Sequence, residues 1–164
     1  NLVENLSERE LKNPEGAGFD LRIGEIYEIS GDGFLGIEER ETPKIKLVAK
    51  YNPKKKTSFI FGPGKFYLIK TIEKVNTPNN ILILFRPRST LVRMGLMALT
   101  ANVSPGYKGE MVFGLVNLGF CKAKIEMGAR VVYAMFFEVK GKTNLYRGQW
   151  QGGRVTTKKK EKQV

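Results

Sequence analysis

Residues 66–85, FYLIKTIEKVNTPNNILILF, decide the fold class. Two short apolar runs, FYLIKTI and NILILF, flank NTPNN (76–80), whose Asn and Pro residues favour a turn over continuation of either run. Such runs, broken by turn residues, have the spacing of strands. The arrangement continues in both directions. LRIGEIYEI (21–29), IKLVAK (45–50) and TSFIF (57–61) precede it, and MVFGLV (111–116) and RVVYAMFFEV (130–139) follow. SGDG (30–33), FGPGK (61–65) and VSPGYKG (103–109) supply further breaks. An all-β domain, sandwich or barrel-like, is expected. The one helix expected is STLVRMG (89–95), capped by Ser89 and ended by Gly95. NILILF and VVYAMFF are apolar on successive residues, so both faces need cover from a second sheet, another subunit or the core alone.

A chain of 164 residues with 41% hydrophobic content suffices for one domain and is short for two. Residues 1–145 are expected to form it. Residues 146–164, polar and rich in Gly and Lys, read as an arm and a basic, disordered tail. No apolar stretch reaches the roughly 18 residues of a spanning helix. The start, NLVENLSERELKNPEG, lacks the features of a secretory signal. A soluble, cytoplasmic protein without membrane contact is expected. Cys121, the single cysteine, reads as an inert, half-buried strand residue.

Histidine is absent from the sequence. That removes His-based general bases, Ser-His-Asp triads and the His/Cys zinc site of zinc-dependent deaminases, so no protein-held metal is expected. Hydrolytic chemistry would have to use carboxylates, hydroxyls, arginines, backbone amides or a substrate-borne metal. The only aspartates are Asp20 and Asp32, and many glutamates lie in surface-like stretches such as IEERE (37–41). A net charge of +12 implies anionic partners, although PKKK (53–56) and KKKEK (158–162) carry much of the excess and read as solvated.

Four segments can carry chemistry. RPRSTLVRMGL (86–96) places Arg88, Ser89 and Thr90 where a strand meets a short helix, with Arg93 one helical turn beyond Ser89. Unpaired backbone N–H groups, two hydroxyls and a guanidinium suit phosphate; the alternative is a capped turn with solvent-facing arginines. GAGFDLRIG (16–24) sets Asp20 where it can cap a turn, pair with an arginine or hold a metal-bound water. VSPGYKGEMVFGLVNLG (103–119) reads as a hairpin turning at Pro105 and Gly106, with Tyr107 placed to pack on a sugar or on the next strand. YRGQWQGGRVTT (146–157) holds Trp150 in a setting too polar for a core, where a base or another subunit would cover it.

In this order the four segments resemble the signature motifs of the dUTP pyrophosphatase and dCTP deaminase family, over roughly residues 16–157. PGKFYLIKTIEKVNTPNNI (63–81) followed by RSTLVRMGL is similar to the deaminase-type run. The resemblance implies a distorted jelly-roll, β-clip-like subunit, a homotrimer with sites between subunits, and Mg²⁺ arriving on the triphosphate. It implies that Arg88, Ser89 and Thr90 grip phosphate oxygens and that Arg93 matches the second arginine of the deaminase signature. Asp20 matches the acidic residue of the first motif, and Tyr107 falls where an aromatic ring packs on deoxyribose. Segment 100–107 would contact the pyrimidine edge. Trp150, Gln151 and Arg154 would close over the nucleotide, and Arg130 would be structural.

Two motifs depart from the pattern. Where dUTPases carry the Asp that orients the attacking water, this chain has Ser104, and the second acidic position is Gly106; where deaminases carry a proton-shuttling Glu, it has Gly114. Deamination needs proton transfers that glycine cannot make. Phosphoanhydride hydrolysis rests more on positioning and electrostatics, so a hydroxyl can still orient a water, at lower rate. The expectation is therefore a dUTP pyrophosphatase of reduced activity, with Ser104 and Asp20 as candidate catalytic positions. The alternatives are a non-catalytic binder of pyrimidine deoxynucleoside triphosphates and a dCTP deaminase. A nucleic-acid-binding β-domain is the weakest reading, because stacking aromatics are not evident beyond Trp150.

Overall fold

The computed structural model describes residues 1–163; Val164, the last residue of the segment read as arm and tail, lies outside them. In chain order the strands are β1 (Val3–Glu4), β2 (Gly18–Ser30), β3 (Phe34–Leu35), β4 (Glu39–Glu41), β5 (Lys44–Lys50), β6 (Ser58–Phe61), β7 (Phe66–Asn76), β8 (Ile81–Pro87), β9 (Leu96–Leu99), β10 (Lys108–Asn117), β11 (Ala123–Glu126), β12 (Arg130–Glu138) and β13 (Glu161–Lys162). Two short helices, α1 (Glu8–Lys12) and α2 (Ser89–Arg93), stand between strands.

The all-β expectation holds. Eight strands form one antiparallel sheet along β8-β12-β2-β7-β10-β9, with β1 added on β7 and β5 on β2. Its ends curl towards each other. Ile83 of β8 exchanges backbone hydrogen bonds with Val103 just beyond β9 (3.0 and 2.8 Å), and Phe85 packs edge-on against Phe113 of β10, 4.9 Å between centroids. That aromatic pair adds about 0.5–1.5 kcal/mol beyond the area it buries. Alternate side chains of β7 face the core inside this nearly closed sheet.

Two inward positions on β7 are polar, Thr71 and Glu73, and both are buried. They lie where the ladder slips against β10, between Glu110 and Val112. Met111 loses its strand partner there and donates its N–H to Thr71 Oγ1 (2.9 Å); the Arg22 N–H donates to Glu73 (2.7 Å). Side chains thus replace the missing ladder bonds and the sheet bends without orphaning these amides. Burial pushes the Glu73 carboxyl up, against the hydrogen bonds from Arg22.

Glu25 of β2 lies between β5 and β7 and receives Lys50 and Lys70 at 2.8 Å each, together with the Tyr27 hydroxyl. Burial alone would raise this carboxyl, but those hydrogen bonds outweigh it and hold it at about 2, against an ordinary value of 4.5. A depressed folded value contributes stability that is present above the unfolded value and lost as pH falls through the folded one. The denaturant midpoint is therefore expected to drop between pH 4.5 and 2, and to drop less steeply in Glu25→Gln. Parallel acid limbs for the two proteins would contradict this.

Several local expectations need correction. Helix α1 lies outside the sequence-based expectation of a single helix; Ser7 caps it by accepting from the Glu10 N–H (3.3 Å). In α2 the capping position is Arg88 rather than Ser89, with no side-chain cap, because the extended chain of β8 runs up to Arg88 before turning. Gly95 does end that turn, at φ +79°, where glycine is unstrained. Cys121 is exposed in a bend between β10 and β11, not half-buried in a strand. Within the segment expected to be a disordered tail, β13 (Glu161–Lys162) pairs with β4 and so joins the β3–β4 hairpin. Among the described residues no helix is long and apolar enough to cross a membrane.

Candidate functional site

The phosphate-type segment sits on a cluster of charges. Arg88 is held at the end of β8 by its N–H donating to Val131 O (2.9 Å). Its Nη1 donates to both oxygens of Asp20, at 2.8 and 2.6 Å, and Arg130 Nη1 donates to the same carboxylate at 2.8 Å. Asp20 points inward from β2 and is 1% exposed; Glu10, equally buried, accepts its backbone N–H. Two buried carboxylates are thus offset by arginines, Arg9 completing the group through its contact with Glu10. Among the described residues, the Arg88 side chain bonds through Nη1 alone, which leaves Nε and Nη2 for a ligand. Arg88, Thr90, Lys124 and Arg130 line a cleft of about 410 Å³. Ser89 and Arg93 stand exposed beside it on α2, Arg93 donating back to Ser89 O (3.1 Å).

The hairpin and the arm build a second, larger cavity of about 640 Å³. Ser104 and Tyr107 line it from the hairpin, Trp150 and Arg154 from the arm, and Phe66, Phe85 and Phe113 from the sheet. Among the described residues, no carboxylate lines it. Tyr107 is buried, its hydroxyl donating to Glu110 O (2.9 Å) and accepting from the Gly153 N–H (3.1 Å). Burial pushes this phenol up to about 12. Its ring meets Tyr146 edge-on, with centroids 5.3 Å apart. Ser104 is half-buried, and its hydroxyl accepts one long hydrogen bond from Asn102 (3.4 Å).

The arm lies on its own hairpin. Gln151 accepts from the Lys108 N–H (2.8 Å) and donates to Gly106 O (3.2 Å), while the Tyr146 N–H donates to Pro105 O (2.7 Å). Trp150, expected to be covered by a base or another subunit, is faced within the chain by the guanidiniums of Arg40 at 4.5 Å and Arg154 at 5.6 Å from its ring centroid. Both arginines bond Glu161, whose carboxyl is held below its ordinary range, by Arg154 first and by Arg40 as well, against the opposing effect of burial.

At Gly114, aligned with the deaminase glutamate, a side chain would require the Phe66 ring to shift. A Cβ there would lie 2.8 Å from Phe66 Cε2 and 3.0 Å from Cζ. The aromatic ring of β7 takes the space that a side chain of β10 would need.

The predicted residues therefore fall into two groups. Ser104, Tyr107, Trp150 and Arg154 share one cavity, with Gln151 strapping the arm beside it. Arg88 and Thr90 share the other, above Asp20, with Ser89 and Arg93 on its flank. Among the described residues, none lines both cavities. Sequence reasoning missed Arg40 and Glu161, which lie in charged runs read as solvated, and Phe66, which looked like an ordinary strand residue. An aromatic residue spaced like a core position beside a mid-strand Gly was the one available signal for Phe66.

Comparison with known proteins gives the family and the fold. The sequence model of the dCTP deaminase-like family matches residues 2–139. The chain is 32% identical over 135 residues to a probable deoxyuridine 5'-triphosphate nucleotidohydrolase of Methanothermobacter thermautotrophicus, covering 82% of this chain and 85% of that one. It is 29% identical over 163 residues to a dCTP deaminase of Pyrococcus furiosus, covering 98% and 92%. Among solved structures, a mutant dUTPase from phage phi11 of S. aureus, described with a structural Mg(II) ion, superposes with a TM-score of 0.55 at 15% identity, over 90% of this chain and 95% of that one. The 2'-deoxycytidine 5'-triphosphate deaminase of Agrobacterium tumefaciens gives 0.61 at 13% identity over 82% of this chain, which spans 41% of that enzyme's length. The fold is that of dUTPases, and its relatives divide between the two activities. With its sequence matched over residues 2–139 and its fold shared, the chain belongs to the dCTP deaminase-like family, which joins dUTPases and dCTP deaminases.

Proposed function

We propose that this protein binds a pyrimidine deoxynucleoside triphosphate and hydrolyses dUTP slowly to dUMP and diphosphate. The observation that carries this reading is the chemistry of the larger cavity: apolar walls, the Ser104 hydroxyl, the Arg154 guanidinium, and no carboxylate among the described residues that line it. Replacing the C4 amino group of cytosine requires a group that takes and returns protons, and Phe66 fills the space where position 114 would present one. Hydrolysis of a phosphoanhydride asks for less: an oriented water and positive charge on the phosphates.

Among the described residues there is no group of three or more His, Cys, Asp or Glu that could hold a metal ion. Mg²⁺ belongs to the substrate, entering on the triphosphate. Asp20 is closed in by Arg88 and Arg130, and its part in this reading is positional: it sets the Arg88 fork. The Arg88 cleft and the Ser104 cavity share no lining residue among those described; in this reading the chain forms a homotrimer, and a nucleotide at its interface takes the Arg88 cleft from one copy and the Ser104 cavity from another.

Purified protein incubated with Mg²⁺ and each deoxynucleoside triphosphate, assayed for diphosphate and ammonia, tests the reading. Diphosphate from dUTP is expected; ammonia from dCTP would overturn it in favour of deamination. A second reading, binding without turnover, is favoured by the same lack of a carboxylate, and Ser104→Asp separates the two. General-base assistance is typically worth 10² to 10⁴-fold, so a carboxylate at 104 is expected to raise dUTP hydrolysis by at least roughly tenfold while binding changes little. A folded, dUTP-binding variant with unchanged hydrolysis would remove position 104 from the chemistry.

A further inference from the structure

Glu161 occupies a setting built for an anion. Arg154 grips its carboxylate with two prongs, Nη1 to Oε1 at 3.1 Å and Nη2 to Oε2 at 2.6 Å. Arg40 adds two bonds to Oε1, from Nε at 3.2 Å and Nη2 at 3.1 Å. The indole of Trp150 lies against both guanidiniums and limits their movement. Such a fork matches phosphate oxygens as well as it matches carboxylate oxygens. The charges do not balance, because one carboxylate faces two guanidiniums. A terminal phosphate, carrying about −1.5 to −2 near neutral pH, would come closer to balance.

The position is also connected to the larger cavity, since Arg154 and Trp150 line it. The present occupant is lightly tethered. Glu161 sits opposite Arg40 in a two-residue pairing of β13 with β4, and so short a ladder opens at low free energy.

We propose that Arg40 and Arg154, set on Trp150, form a site for the terminal phosphate of a polyphosphate ligand, and that Glu161 is its built-in competitor. The assignment to a nucleotide rests on the reading of the cavity given above; the anion site itself stands on the contacts just described. A ligand without an outer phosphate has nothing to exchange for Glu161, so the device favours triphosphates over monophosphates.

The test measures binding of inorganic tripolyphosphate, and of a dUTP analogue with an imido bridge that resists hydrolysis, by calorimetry on the full chain. Wild type is compared with Glu161→Gln and with Glu161→Gln combined with Arg40→Ala. Loss of the competing charge is expected to tighten both ligands about five- to tenfold, the scale of a partly exposed charge-assisted contact. Adding Arg40→Ala is expected to remove that gain. A carboxylate that merely ties the arm down gives the opposite sign, since its loss loosens Trp150 and Arg154 and weakens binding. Unchanged or weaker tripolyphosphate binding in Glu161→Gln overturns the proposal. Tighter tripolyphosphate binding with no uptake of the dUTP analogue by any variant sustains the anion site and refutes the nucleotide reading instead.

Discussion

Asp20→Ala is expected to lower the free energy of unfolding by about 3 kcal/mol, measured as a shift of the urea midpoint at constant slope. The carboxylate is 1% exposed and carries hydrogen bonds from Arg88 and Arg130. Removing it leaves two guanidiniums facing each other and Glu10 as the remaining buried carboxylate near them. Breaking a buried pair usually costs about 3–5 kcal/mol. The lower end applies because the side chains of Arg88 and Arg130 are 29% and 34% exposed and can turn partly to water. A midpoint within experimental error of wild type would mean that solvent already screens this cluster and that Asp20 does not fix the Arg88 fork.

Arg88→Ala is expected to weaken triphosphate binding by about 1.5–3 kcal/mol, the usual worth of hydrogen bonds to a charged group, or roughly 12- to 150-fold in affinity. Monophosphate binding should suffer less. Arg88 keeps Nε and Nη2 for a ligand while Nη1 holds Asp20, so the substitution also strips a buried carboxylate of one partner. Arg88→Lys separates the two effects: it keeps a positive charge near Asp20 but loses the planar fork, and should fall between wild type and alanine in binding. Equal losses for dUMP and dUTP would show that Arg88 does not reach the outer phosphates.

The local signals were strong wherever a single segment decides its own conformation. FYLIKTI became the first half of β7, with side chains alternating in and out, and NTPNN broke the chain before β8 as Asn and Pro at a turn should. Pro105 and Gly106 turned the hairpin where the residues require it, and Gly95 ended α2. Errors arose where a neighbour far along the chain decides. Cys121 looked like a strand residue because GFCKAK contains no breaker other than Gly119, yet it lies in the bend that lets β11 pair with β6. KKKEK looked solvated because its charges were counted along the chain; in the fold, Glu161 meets Arg40, 121 residues away.

The sequence by itself determined that this is an all-β chain, which segments carry arginines, hydroxyls and aromatic residues, and that carboxylates are missing at 104 and 114. Those are properties of residue type, turn chemistry and spacing, all of which act over a few residues. Tertiary structure alone decided that Asp20 is a buried partner of Arg88 rather than an open acid, that Phe66 fills the room beside Gly114, and that Trp150 is covered by Arg40. It also decided that the candidate residues divide between two cavities. Each of these depends on which strands become neighbours and on how little space lies between them. Register and packing are set by the sum of many weak contacts across the whole sheet, so no single stretch of sequence contains them.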